Sequence, residues 1–119
     1  MLHSFAKTDA GGKALGWFVD HVSSLLPLKR VHETNSLIAF FHPRPLYPIH
    51  VLILPKRKYR SVLDIPPEDE ELIQDLISTI KVCVSDLNLE QRSYRFILNG
   101  GKAQDVPLLH FHLIGENDE

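Results

Sequence analysis

Residues 108-LLHFHLI-114 constrain this chain more than any other stretch. Leu109, Phe111 and Leu113 alternate with Leu108, His110 and His112. A period of two belongs to a β-strand with two unlike faces, so the spacing predicts a strand over 108–114. The two histidines then stand side by side on one face, about 7 Å apart at Cα. Leu108 takes the next position back on that face. The all-apolar opposite face needs a partner layer, which asks for a sheet packed against something else.

The rest of the chain supplies that layer. Runs at 29–33, 36–41, 49-IHVLILP-55 and 93-SYRFILN-99 read as further strands, and 42-HPRPLYP-48, with three prolines, reads as a loop. Pro66 and Pro67 open the clearest helix. Glu68, Asp69, Glu70 and Glu71 crowd its positive end, and Asn88 is placed to cap its other end. Leu72, Ile73, Leu76, Ile77, Ile80, Val84 and Leu87 form its apolar stripe. A second helix is expected near the N-terminus, carrying Ala14, Leu15, Phe18, Val22, Leu25 and Leu26 up to Pro27. Neighbouring antiparallel runs with helices inserted point to an α+β fold, a single domain over 1–119.

Composition narrows function by exclusion. The net charge is −2, so nothing global favours nucleic acid or an acidic membrane. One cysteine, Cys83, rules out an intrachain disulfide and a cysteine-rich zinc knuckle; it reads as a small buried hydrophobe. The first residues carry no basic start with an apolar run, and no stretch approaches a membrane span, so the expected location is cytoplasmic. Lys56, Arg57, Lys58 and Arg60 read as a solvated turn. Trp17 and Phe18 read as core or a dimer contact, and His3, His21 and His32 as incidental. Seven histidines in 119 residues are the one unusual count.

Two histidines on one strand face admit three readings. They can begin a zinc site, with a third ligand from His50 or His42. They can be hydrogen-bonded structural side chains. Or they can serve phosphate chemistry, where a neutral imidazole is a nucleophile and its neighbour a proton donor. The segment 99-NGGKAQ-104 adds glycines and neutral donors suited to an anion.

The segment 99-NGGKAQDVPLLHFHLIG-115 resembles the core of the histidine-triad (HIT) nucleotide-binding proteins, whose signature is His-φ-His-φ-His-φ-φ after an Asn, a Gly-rich loop and a Gln. Upstream, 37-LIAFFHPRPLYPIHVLILPKRKY-59 is similar to that family's strand, proline loop, Pro-x-His turn and following strand, so the likeness covers about residues 29–115. It implies a HIT-like fold, an antiparallel sheet of about five strands with a main helix and a divergent N-terminal helix over 1–28. It implies a homodimer, a purine nucleotide or nucleotide conjugate as ligand, and neither metal nor cofactor. By the same resemblance His110 is the nucleophile that attacks the α-phosphorus, His112 contacts the phosphate and assists the leaving group, and His50 flanks them. Asn99 and Gln104 hold the phosphate, and Phe40 lines the base or ribose pocket.

The departures fall within the site. Leu108 replaces the first triad histidine, His42 an acidic ribose-binding residue, Asp105 a small hydroxyl residue and Lys58 a frequent histidine. Asp105 sets a negative charge beside an anion, at a cost on the order of 1 kcal/mol. Leu108 retains the main-chain carbonyl that orients the nucleophile. Its side chain forgoes a hydrogen-bond link expected to run from this position toward His50. Two functions remain: a nucleotidyl hydrolase or transferase, the preferred reading, and a nucleotide-binding module with weak or no catalysis, with a histidine metal site as a third.

Overall fold

The computed structural model describes residues 29–117. Strands β1 (Arg30–Glu33), β2 (Leu37–Phe41), β3 (Ile49–Pro55), β4 (Tyr94–Ile97) and β5 (Phe111–Gly115) form one antiparallel sheet in the order β1-β2-β3-β5-β4. Helix α1 (Glu70–Asp86) lies between β3 and β4 in the chain. The expected α+β arrangement is present. The expected N-terminal helix, and with it Trp17, Phe18, His3 and His21, falls outside the described residues.

Period-two alternation divides the sheet into two chemically distinct faces. Leu37, Ala39, Val51, Ile53, Phe111 and Leu113 join Leu72, Cys83 and Val84 of α1 in the main core. Cys83 is fully buried there, and desolvation pushes its thiol up to about 11. Ile38, Phe40, Leu52 and Leu54 form a second cluster on the opposite face, and Val106 and Leu108 pack against it. At the end of β5, a Cβ on Gly115 would lie 2.8 Å from Leu89 Cδ2 and 3.2 Å from Ile49 Cβ, so any larger residue there would force Leu89 and Ile49 to shift.

Three expectations need correction. The helix does not open at Pro66-Pro67. Asp69 is its N-cap and accepts from the Leu72 N–H at 3.2 Å, while the prolines sit in the preceding turn. The apolar stripe also splits. Ile73 and Ile77 are 47% and 51% exposed, because at about 100° per residue they leave the face that Leu72, Thr79 and Cys83 bury. Finally, the last strand begins at Phe111 and not at 108, since the Leu109 N–H bonds to the Tyr59 carbonyl at 2.8 Å instead of joining the ladder. Asn88 does terminate α1, in the left-handed conformation at φ 56°.

Candidate active site

Four imidazoles meet on the face opposite α1. His50 comes from β3 and His112 from β5, His42 follows β2, and His110 immediately precedes β5. The His42 N–H bonds to the His50 carbonyl at 2.8 Å, which carries the β2–β3 pairing one step further and brings the two rings together. Ring centroids are 4.4 Å apart for His42–His50, 5.3 Å for His50–His112 and 5.0 Å for His110–His112. All four residues are 2–6% exposed.

Burial keeps them neutral. Desolvation lowers His42 to about 4, with His110 nearby as a second cause, and lowers His50 to about 3, with His42 adding to it. His112 falls to about 2, first through desolvation and then through the other three imidazoles. Desolvation also lowers His110, opposed by its bond to the Leu108 carbonyl.

A neutral imidazole has one N–H, and the hydrogen bonds assign it. His110 Nδ1 lies 2.7 Å from the Leu108 carbonyl, which can only accept, so Nδ1 carries the proton and Nε2 keeps its lone pair. His50 Nδ1 accepts from the Leu46 backbone N–H at 3.2 Å, so its proton is on Nε2. That nitrogen is 3.1 Å from His112 Nδ1, which therefore accepts, leaving the His112 proton on Nε2. His42 Nδ1 accepts from the Arg44 backbone N–H at 3.0 Å. The arrangement provides a nucleophilic nitrogen on His110 beside an N–H donor on His112. Among the described residues no three His, Cys, Asp or Glu side chains are placed to hold a metal ion.

The imidazoles of the sequence motif thus come together in space, and comparison with known proteins identifies the family. The family model for the HIT domain matches residues 25–119. This chain belongs to the HIT domain family. An uncharacterized HIT-like protein of Synechococcus elongatus is 33% identical over 92 residues, covering 76% of this chain and 80% of that protein. A HIT family hydrolase from Clostridium thermocellum superposes with TM-score 0.74 at 32% identity, covering 86% of this chain and 90% of that one. A histidine triad nucleotide-binding protein from Candida albicans gives 0.72 at 27% identity, covering 87% and 76%.

Within this HIT domain the remaining site candidates separate from the imidazoles. Phe40 is fully buried with Ile38, Leu52 and Leu54. Gln104 and Asp105 line a cleft of about 530 Å³ with Arg60, Ser61, Leu63, Asp64, Gly101 and Pro107. The Gln104 amide N–H donates to the carbonyls of Arg60 (2.6 Å) and Val106 (3.0 Å), tying the glycine loop to the turn at residue 60. Asn99 is half-buried, and its buried Nδ2 makes no hydrogen bond within the structure. Leu108 packs into the apolar cluster, and both ring nitrogens of His50 are engaged by Leu46 and His112. The link expected from position 108 toward His50 is therefore replaced by the His50–His112 pair. Sequence reasoning passed over Arg60 as part of a cleft and the N–H groups of Arg44 and Leu46. The prolines at 43, 45 and 48 were the available signal for the latter, since they leave few donors in that loop.

Proposed function

We propose that this HIT protein is a nucleotidyl hydrolase or transferase acting on a purine nucleoside phosphoramidate or phosphoanhydride. The observation that carries the reading is the 2.7 Å bond between His110 Nδ1 and the Leu108 carbonyl, which directs the lone pair to Nε2. His110 Nε2 attacks the α-phosphorus, and the bond from phosphorus to the leaving nitrogen or oxygen breaks. His112 Nε2–H gives its proton to that leaving group. Water then attacks the phosphorus, His112 Nε2 accepts the water's proton, and the nucleoside monophosphate departs with His110 restored. In this reading His50 holds His112, His42 is assigned to the nucleoside side and Asn99 to the phosphate, while Phe40 backs the site from within the apolar cluster and Gln104 and Asp105 stay in their own cleft.

The protein works in this reading as a cytoplasmic homodimer, with no cofactor. Support for the dimer comes from the face that α1 shares. The helix packs over β1 and β2, whereas Tyr94, Phe96 and Leu98, on the open edge of the sheet, are 37–44% exposed. Phe96 stacks on Phe111 at 5.3 Å, placing this apolar strip on the helix side, where exposed Ile73 and Ile77 also lie. No helix among the described residues is long and apolar enough to cross a membrane.

A binding module without turnover is the competing reading, and the near-complete burial of all four imidazoles favours it. Adenosine 5′-phosphoramidate separates the two. Rapid quench into denaturant followed by mass spectrometry is expected to find an acid-labile adenylyl group on His110. His110→Ala should retain its fold and lose both label and turnover. Equal hydrolysis by His110→Ala and wild type would remove His110 from the chemistry.

A further inference from the structure

The loop 42-HPRPLYP-48 joins β2 to β3, and prolines at 43, 45 and 48 remove backbone donors from it. Between the two histidines only Arg44, Leu46, Tyr47 and Ile49 retain an N–H. Two of these are spent on imidazole nitrogens: Arg44 on His42 Nδ1 and Leu46 on His50 Nδ1. The Leu46 side chain is 52% exposed, so the contribution of this residue to the site lies in its backbone.

We propose that the proline loop is a positioning element, in which the Leu46 backbone N–H sets the proton position of His50 and, through His50, that of His112. A pair of neutral imidazoles joined Nε2 to Nδ1 has two proton arrangements. In one, His50 Nε2–H donates to His112 Nδ1, and His112 keeps its proton on Nε2. In the other, His112 Nδ1–H donates to His50 Nε2, the remaining proton of His50 sits on Nδ1, and His112 Nε2 is a bare lone pair. The 3.1 Å contact is satisfied equally by both. The Leu46 N–H, 3.2 Å from His50 Nδ1, removes the second arrangement by setting two donors head-on. Prolines on both sides fix their own φ near about −65°, so this donor is held without a large side-chain anchor.

The consequence for catalysis rests on the proposed function. Only the first arrangement gives His112 a proton to deliver to a leaving group. An amine expelled from a phosphoramidate needs that proton, whereas a nitrophenolate leaves without it. Leu46 is thus a positioning residue whose effect depends on the leaving group.

Nitrogen-15 NMR of the histidine rings in the full chain tests the proposal directly. Wild type is expected to show lone-pair-type Nδ1 and N–H-type Nε2 signals for both His50 and His112. Leu46→Ala keeps the donor and should keep these signals. Leu46→Pro, or the semisynthetic chain with an ester linkage in place of the Leu46 amide, should move both residues toward N–H-type Nδ1. The same variants should slow adenosine phosphoramidate turnover by about 10–100-fold and leave adenosine 5′-(p-nitrophenyl phosphate) nearly as fast as before. An N–H-type Nδ1 on His50 or His112 in wild type overturns the proposal, even if Leu46→Pro fails to fold. Unchanged ring signals in a folded donor-less variant overturn it as well. Expected ring signals in a wild-type protein that turns over neither substrate leave the loop's role standing and sink the proposed hydrolase.

Discussion

Leu108→His would restore a histidine triad on paper, and the structure says that it should fail. The leucine side chain is half-buried against the cluster of Ile38, Phe40, Leu52 and Leu54. Removing it forfeits about 1–2 kcal/mol of apolar burial. The incoming imidazole brings a polar N–H and a lone pair into that cluster, and an unmet buried polar group costs about 1–3 kcal/mol more. His50 offers no relief, because its two nitrogens are already bonded to Leu46 and His112. The sum, about 2–5 kcal/mol, corresponds to a drop in melting temperature on the order of 10 °C for a chain of this size. Leu108→Met conserves volume and should cost less than about 1.5 kcal/mol. Both variants retain the carbonyl that orients His110, so phosphoramidate turnover per folded molecule should not rise in either. Thermal unfolding by circular dichroism and steady-state hydrolysis on the same samples provide the comparison. A Leu108→His protein that melts within about 2 °C of wild type and turns over faster would refute this account of the site as walled by apolar packing.

Stability should fall steeply on mild acidification. The folded-state values of His42, His50 and His112 lie at about 4, 3 and 2, below the ordinary 6.5, so the unfolded chain binds more protons between these limits. Their contribution is complete above pH 6.5 and is lost as pH falls below it, with a slope near pH 5 of about 4 kcal/mol per pH unit for three groups. Urea unfolding at pH 5, 6 and 7.5 checks this, and a flat profile across that range would show that the imidazoles are not buried neutral. Glu33 and Asp69 do not confuse the window, since hydrogen bonds from Lys56 and Tyr59 lower their carboxyls further below it. For assembly, light scattering at micromolar protein should give a dimer mass, and Ile73→Glu combined with Ile77→Glu should shift it to monomer. A monomeric wild type would end the dimer reading.

Local pattern alone determined much of this protein. Alternation at 49–55 and near 108–114 marks strands because side chains on a pleated backbone change face at every residue, and that rule needs no knowledge of the partner layer. The residues 99–115 and 37–59 likewise carried enough of a motif to point to the HIT domain and to nominate His50, His110 and His112, whose rings the fold brings together. The tertiary structure decided what local pattern does not encode. Ile73 and Ile77 share the helical period of Leu72 and Leu76, yet which flank of α1 is covered depends on how the helix lies over the sheet. His110 left the strand because Leu109 found a partner at Tyr59, a contact fifty residues away in sequence. Position 108 became an apolar packing site through Phe40 and Leu52, which come from two other strands. The protonated nitrogen of each imidazole followed from single donors and acceptors, Leu46 for His50 and the Leu108 carbonyl for His110. A histidine's residue type is written in the chain, but its tautomer and charge are set by the atoms a few ångströms away, and folding alone brings those atoms there.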